Sequence, residues 1–254
     1  MRRRSTTCGG NGFGHPDLTL IKGEILIMIS SQDTKQKGIG VLQLYILVFF
    51  LVWTIYEFNF STYDYSNNIA LYIMVRNSIK YIVWTIPVFV FLKYVYKVNP
   101  ISYLKLNDNV IRGIIWGIVI GFLIVIYHII RNYLMGGSKF DFSIDIYTWI
   151  HRIILIGLTE EVVFRGFILQ KLQEGIEFKY ANAISSVLFV LIHFPKWYMS
   201  GILSIEKTTY FILYTAFVLG FGLLQGYVLK RTKSLWACMI IHSFNNLIST
   251  AFKV

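Results

Sequence analysis

Three ionisable residues, Glu160, Glu161 and Arg165, stand within six positions of a chain segment that is otherwise apolar. A charged side chain at the centre of a membrane helix costs about 2.5–3.5 kcal/mol on insertion scales. No other helix-length apolar run of the sequence contains such a cluster. We therefore expect these side chains to pair, to face a cavity or to take part in a reaction.

The spacing of the three charges separates them into a pair and a remainder. Glu161 and Arg165 are four residues apart, with the acid first, which is the favourable order for an ion pair on one helix face. Glu160 lies on a different part of the helix circumference and is predicted to be free to point at another helix. A free carboxylate in such a place can act as a general base.

Two further apolar runs contain polar residues that could meet Glu160. Phe189 and His193 are four residues apart in one run, and His242 and Asn246 are four apart in the other. These groups together suit the activation of a water molecule. The carboxylate would take a proton, one imidazole would orient the water, and the second imidazole with the amide would stabilise an oxyanion.

Simpler interpretations of these residues exist. Glu161 and Arg165 could hold helices together or form part of the ion path of a transporter. For His128 and His151 we prefer a role as hydrogen-bonding residues between helices. The combination of motifs on three separate runs favours a functional interpretation for the rest.

The composition is that of a membrane protein. The chain of 254 residues is 56% hydrophobic and 15% charged, with a mean hydropathy of +0.59. Its net charge of +11 does not indicate nucleic-acid binding, because the basic residues lie between the apolar runs and not on one face. Cys8 and Cys238 form neither a disulfide framework nor a zinc-ligand set.

The apolar runs predict an all-α, polytopic transmembrane bundle of about seven helices. The predicted spans are residues 40–57, 81–96, 111–133, 147–169, 180–194, 209–229 and 235–252. Glycines four residues apart in the third and sixth spans predict that these helices approach a neighbour closely. These glycines are Gly113, Gly117 and Gly121 in the third span, and Gly222 and Gly226 in the sixth.

Two domains are predicted, a disordered N-terminal extension at residues 1–39 and a transmembrane domain at residues 40–254. Translation could begin at Met28, because Lys22-Gly23-Glu24 is what a purine-rich ribosome-binding site would encode. N-terminal sequencing of the native protein would test this hypothesis.

Loop charge predicts the orientation of the bundle in a cell membrane. Basic residues are concentrated before the first span and after the second, fourth and sixth spans, whereas the other connections contain fewer of them. By the positive-inside rule, this pattern predicts a cytoplasmic N-terminus and an extracellular C-terminus.

Taken in order, the motifs resemble the CPBP family of intramembrane proteases. This family includes the type II CAAX prenyl endopeptidases and bacteriocin self-immunity proteins. The motifs are Glu-Glu-x-x-x-Arg at residues 160–165, Phe-x-x-x-His at 189–193 and His-x-x-x-Asn at 242–246. The resemblance covers residues 147–251, which we take as the catalytic core.

The resemblance implies an endopeptidase that uses a glutamate-activated water, without an acyl-enzyme, inside the bilayer. By position, Glu160 would be the general base and His193 would bind and polarise the water. His242 and Asn246 would form the oxyanion-stabilising pair. The resemblance gives Glu161, Arg165 and Phe189 a supporting role beside these four catalytic residues.

We expect no cofactor. Zinc is the alternative, with Glu160, His193 and His242 as ligands, but no compact motif such as His-Glu-x-x-His occurs in the sequence. Other intramembrane protease designs fit worse. Every Asp lies outside the predicted spans, and no predicted span contains the Gly-x-Ser nucleophile motif, paired with a His, that a serine protease needs.

Two functions from different classes follow. The first is a peptidase acting on a membrane-associated peptide or protein, in CAAX-type maturation, peptide pheromone processing or bacteriocin immunity. The second is a non-catalytic membrane protein, either an immunity receptor that binds a toxin or a small transporter. The expected partners are the lipid bilayer and a peptide or protein substrate.

Overall fold

The protein is mainly helical in the part of the chain that the structure describes. The computed structural model describes residues 18–59, 69–134, 137, 140, 141, 143, 146 and 149–251, with the backbone alone for residues 18–38, 69–73, 77 and 152. Within these ranges the ordered elements are helices, and no β-strand is formed. The predicted all-α fold is therefore confirmed.

Nine helices are assigned to the described residues, in addition to a short 3-10 turn at Ile205–Lys207. The helices are α1 (Leu18–Asn59), α2 (residues 69–95), α3 (Pro100–Tyr103), α4 (Val110–Leu134), α5 (residues 149–173), α6 (Phe178–Leu191), α7 (Phe194–Met199), α8 (Thr208–Thr232) and α9 (Leu235–Ala251). Two of them, α2 and α5, contain both α-helical and π-helical turns.

The chain divides into two compact units, Met1–Gly38 and Ile39–Val254. In the first unit, residues 18–38 are helical, where the sequence predicts disorder, and residues 1–17 lie outside the described residues. The separate extension and the start at Met28 stay predictions. All that follows concerns the second unit.

Among the described residues of the second unit, five helical segments are long and apolar enough to cross a membrane. They are Ile39–Asn59, Met74–Val95, Val110–Leu134, Phe178–Met199 and Ile205–Thr232. The predicted fourth and seventh spans are also helical, as α5 and α9. The 17 residues of α9 are fewer than a typical span, and α5 contains the charged cluster. The protein is a polytopic helical bundle.

Glycines bring α4 and α9 into close contact, as their spacing predicts. A Cβ atom added to Gly117 would lie 2.8 Å from Cβ of Ile240, and one added to Gly121 would lie 2.6 Å from Cδ2 of Phe244. A side chain at either position would force the helices apart. The glycines thus fix the position of α9, which contains His242 and Asn246.

Apolar side chains cover the outside of the bundle as well as its core. Leu47, Ile111 and Ile212 are 63%, 75% and 58% exposed. Such a surface suits contact with lipid tails. By contrast, Phe164 and Phe167 of α5 are fully buried, which places α5 at the centre of the bundle.

Candidate active site

The central helix α5 places two adjacent carboxylates inside the bundle. Glu160 and Glu161 end an α-helical part, Ile156–Glu161, and the helix continues with π-helical turns from Val162. Turns of this kind are rare and often occur at functional sites. Glu160 is 6% exposed and Glu161 is 0% exposed. Buried carboxylates need partners, and each one has its own.

Glu161 is held by two cationic or potentially cationic groups. Its Oε1 accepts a hydrogen bond from Nη1 of Arg165 at 3.1 Å, so the predicted ion pair is formed. The same oxygen accepts a second hydrogen bond from Nδ1 of His242 at 2.7 Å. Since Nδ1 of His242 must carry the proton for this bond, its Nε2 is the nitrogen left for other partners.

Glu160 is not free, contrary to the sequence prediction. Nζ of Lys80 donates to Oε1 of Glu160 at 2.6 Å, from the α2 helix. Oε2 of Glu160 lies 3.7 Å from Nε2 of His242, which is too long for a direct hydrogen bond. The two oxygens therefore differ, because Oε1 is bound to Lys80 while Oε2 faces His242.

His193 follows the last turn of α6, where its ring is fixed by the backbone. Its Nδ1 donates to the carbonyl oxygen of Phe189 at 2.7 Å, which leaves Nε2 for a water or a substrate. The ring of Phe189 lies under the guanidinium of Arg165, with 4.2 Å from Cζ to the ring centroid. The same ring makes edge contacts with His193 and His242. Phe189 thus packs among the predicted site residues.

A cross-helix hydrogen bond fixes the end of α9 beside the site. Nε2 of His128 on α4 lies 3.0 Å from Oδ1 of Asn245. This bond confirms the role between helices that the sequence predicts for His128. His151 is buried on α5. The predicted oxyanion residue Asn246 follows Asn245 directly.

One cavity of about 480 Å³ connects these groups. Its wall includes Lys80, Glu160, His193, His242 and Asn246, so the four predicted catalytic residues share one space. Glu161 and Arg165 are not part of the wall and lie behind it. A second ion pair borders the cavity, from Arg76 to the buried Glu57, at 3.4 Å.

The residues give no ready metal site. Among the described residues, no group of three His, Cys, Asp or Glu side chains is arranged to hold a metal ion. In the alternative zinc site, Lys80 binds Oε1 of Glu160 and Glu161 binds Nδ1 of His242, so Oε2 of Glu160 and Nε2 of His242 are the atoms that would have to reach an ion. Zinc stays an alternative, and we derive no step through a metal.

Lys80 is the site residue that sequence reasoning missed. The sequence placed it in a connection before the second span, although the helix already begins at Ile69. The signal was present, because Arg76, Lys80 and Trp84 follow one another at four-residue spacing and share a helix face. All three line the cavity.

Comparison with known proteins identifies the region that contains the motifs. Residues 142–248 match the family described as type II CAAX prenyl endopeptidase Rce1-like. No curated protein and no solved structure matches the chain. The match includes the residues 160–165, 189–193 and 242–246, and ends before the last turn of α9. This Rce1-like region, which is less than half of the chain, supports the resemblance to the CPBP family of membrane proteases that the motifs indicate.

Proposed function

We propose that the protein is an intramembrane endopeptidase in which Glu160 activates a water that hydrolyses a peptide bond. The observation that carries this proposal is the difference between the two oxygens of Glu160. Lys80 binds Oε1, and Oε2 faces Nε2 of His242 across a gap of 3.7 Å inside the cavity. A water or a substrate atom near this gap would be within reach of both groups.

The proposed reaction begins with proton transfer to Glu160. Oε2 takes a proton from the water, whose oxygen attacks the carbonyl carbon of the scissile bond. Glu160 then passes this proton to the leaving amine as the carbon–nitrogen bond breaks. The second proton of the water stays with the new carboxyl group or leaves to solvent, so no covalent intermediate with the enzyme forms.

Lys80 supports this reaction through Glu160, although no bond to Lys80 is made or broken. A buried carboxylate without a cation would be neutral in much of its population, and a neutral Glu160 could not accept the proton. The ammonium at 2.6 Å stabilises the carboxylate form. It also orients the group so that Oε2 faces the cavity.

The two histidines have different roles in the proposed reaction. His193, fixed through Nδ1, presents Nε2 to the cavity wall, where it can bind the water. Glu161 fixes the His242 ring through the bond from Nδ1. When Nε2 of His242 also carries a proton, it can donate to the oxyanion of the tetrahedral intermediate, together with the amide of Asn246.

The supporting residues hold this arrangement together. Arg165 balances the charge of Glu161, and Phe189 packs between the Arg165 guanidinium and both histidines. We propose a membrane-associated peptide or protein as the substrate, with a peptide pheromone, a bacteriocin or a CAAX-type terminus as the classes to test. We also propose a cytoplasmic N-terminus and an extracellular C-terminus.

The experiment compares wild-type protein with Glu160→Gln and His193→Ala in proteoliposomes. The probe is a pool of quenched-fluorescent hydrophobic peptides, and the same variants are expressed in cells challenged with a bacteriocin. We expect both variants to lose cleavage and protection. Protection that survives both changes would favour the non-catalytic immunity receptor and would contradict the proposal.

Metal dependence has its own test. Wild-type protein is treated with a chelator, dialysed and assayed with and without added zinc. We expect cleavage to be unchanged by either treatment. Loss of cleavage in the chelator and recovery with zinc would contradict the metal-free mechanism.

A further inference from the structure

Helices α8 and α9 are joined by two hydrogen bonds that run in opposite directions between the same two residues. Nε2 of Gln225 donates to the carbonyl oxygen of Cys238 at 3.0 Å. In return, Sγ of Cys238 donates to the carbonyl oxygen of Gln225 at 3.3 Å. Both residues are fully buried, and neither is part of the cavity wall. We call these two contacts the Gln225–Cys238 pair.

The Gln225–Cys238 pair lies at the turn of α9 that carries His242. Cys238 precedes His242 by four residues in an α-helix, so its carbonyl oxygen is also the acceptor for the backbone N–H of His242. Side chains of a helix tilt toward its N-terminus, which places the His242 imidazole over the same turn. The amide of Gln225 is therefore bonded to the backbone turn that determines where this imidazole lies.

The buried glutamine has a directional role and does not merely fill space. Burial of an amide is unfavourable unless the amide is hydrogen-bonded. Oε1 of Gln225 accepts no hydrogen bond from the described residues, so the bond from Nε2 is what the amide gains at this position. If the amide were turned over, Oε1 would face the carbonyl oxygen of Cys238, and neither oxygen could donate. The pair therefore fixes the orientation of the amide.

Two different kinds of contact hold α9 from opposite sides. Ile240 and Phe244 pack against the glycines of α4. At about 100° per residue, they lie on roughly the opposite side of α9 from Cys238. The apolar contacts limit how closely α4 and α9 approach each other. The hydrogen bond from Gln225 is directional, so it also restricts the rotation of α9 and its movement along its axis.

The same side of α8 also contacts two residues beside the active site. The ring of Phe221 makes an edge contact with the His242 ring, with 5.4 Å between the centroids. A Cβ atom added to Gly222 would lie 3.2 Å from Nη2 of Arg165, so the guanidinium packs against the backbone of α8. Gln225 follows these two α8 residues at three- and four-residue spacing and shares their side of the helix. Both donors to the fully buried carboxylate of α5 are thus supported by α8.

We infer that Gln225 is a positioning residue for His242, and that its amide fixes the rotation and height of α9 at which Nε2 of His242 faces Oε2 of Glu160. These two atoms are 3.7 Å apart, at the gap that a water or a substrate atom is proposed to reach. The inference rests on the proposed function for the reaction, whereas the placement of the His242 ring does not depend on it.

The position of His242 should affect turnover more than substrate binding. A displacement of about 1 Å that arises far from the reacting atoms can lower a rate by about 10²-fold. Gln225 itself does not line the cavity, so its loss removes no contact with a bound peptide. We therefore expect a change at position 225 to lower kcat and to leave KM nearly unchanged.

The first test is kinetic and uses proteoliposomes with the quenched-fluorescent peptides. Gln225→Met removes the donor and keeps the length of the side chain, and Gln225→Leu is a second variant in case the first does not fold. Leu229→Met is the matched control, because Leu229 lies one turn further along α8, is buried and does not line the cavity. This control change also conserves the side-chain volume.

We expect kcat to fall by about 10- to 100-fold in both Gln225 variants, with KM within about twofold of wild type. Leu229→Met should keep both constants within about twofold of wild type. A rise in KM at unchanged kcat in the Gln225 variants would overturn the inference. The same fall in kcat in Leu229→Met would also overturn it, because any change in the core of α8 would then have this effect.

The second test observes the imidazole and needs no peptidase activity. Isotopically labelled histidine is incorporated into each protein, and NMR spectra of the rings are recorded in detergent micelles. The His242 signals are identified by their absence from the His242→Ala variant. We expect these signals to shift in Gln225→Met and Gln225→Leu and to keep their wild-type positions in Leu229→Met.

The two tests separate the inference from the proposed function. Unchanged His242 signals in both Gln225 variants would overturn the inference, even if kcat falls, because Gln225 would then not act through His242. If the wild-type protein cleaves no peptide, the proposed function fails, while the NMR spectra still decide whether Gln225 positions His242.

Discussion

The two sides of helix α5 give adjacent glutamates different surroundings. Glu161 is fully buried on the packed side, where Arg165 and His242 share its Oε1. Glu160, one residue earlier, reaches the cavity side, where Lys80 binds one oxygen. The residue type is the same, so the neighbours alone decide which carboxylate is structural and which is proposed to react.

This difference has a physical cause. The packed side buries both charged side chains almost completely, so an unbalanced charge there would be left in an apolar interior. The cavity side contains room for a substrate, and its ion pair involves side chains that are 9% and 8% exposed against 1% and 0% for Arg165 and Glu161. The packed side should therefore respond to substitution mainly in stability, and the cavity side mainly in turnover.

The largest effect on stability is expected from Arg165→Met. This change leaves Glu161 with a buried charge that His242 alone must balance, and breaking a buried pair costs about 3–5 kcal/mol. The free energy of unfolding is measured in detergent by denaturant titration. A loss below about 1 kcal/mol, the range of an exposed pair, would show that the packed side tolerates the charge.

Asn246→Ala should affect turnover on the cavity side. Loss of one oxyanion donor lowers kcat by about 10²- to 10³-fold, with little change in KM. Ser243→Ala is the matched control on the same helix, since its hydroxyl bonds to the carbonyl of Met239 and does not line the cavity. Equal kcat values for the two variants would show that Asn246 does not stabilise the oxyanion.

Lys80→Met should lower both the stability of the protein and its activity. The stability loss is expected between the roughly 0–1 kcal/mol of an exposed pair and the roughly 3–5 kcal/mol of a fully buried one. Activity should fall as well, because Glu160 then lacks the ammonium that stabilises its carboxylate form. Without the ammonium, the carboxylate form needs a higher pH, so the acidic limb of the pH–rate profile should move to higher pH.

The readout for Lys80 is kcat measured across the pH range. Partial recovery of the Lys80→Met variant at high pH would support a role through Glu160. If the pH profile is unchanged while Glu160→Gln is inactive, Lys80 contributes to packing alone and the proposed function is not affected.

The smallest effect is expected from Ser185→Ala. The Ser185 hydroxyl donates to the carbonyl oxygen of Phe164 at 2.8 Å and connects α6 to the packed side of α5. Its loss should cost about 1 kcal/mol of stability. The cleavage rate at saturating peptide should stay within about twofold of wild type, and a larger fall would show that this contact also positions His193.

Much of this arrangement could be predicted from the sequence because it is local. The spacing of Glu161 and Arg165 predicted their ion pair, and the glycines at 117 and 121 predicted the close contact of α4 with α9. The pairing of Lys80 with Glu160 spans 80 residues, and that of His242 with Glu161 spans 81. Contacts between helices so distant in the chain depend on the packing of the whole bundle, which no spacing rule provides.

The most direct measurement compares Glu160→Gln with Glu161→Gln for both cleavage and unfolding. Removing a general base should lower kcat by roughly 10²- to 10⁴-fold. In the Glu160→Gln variant, Lys80 can still donate to the amide oxygen of the introduced glutamine, which limits the stability loss. Glu161→Gln should cost several times more stability, because the Arg165 guanidinium cannot lose its proton and would be a fully buried charge without a carboxylate. For each kcal/mol of unfolding free energy that is lost, we expect kcat to fall further for Glu160→Gln than for Glu161→Gln. An active Glu160→Gln variant, or the same ratio at both positions, would contradict it.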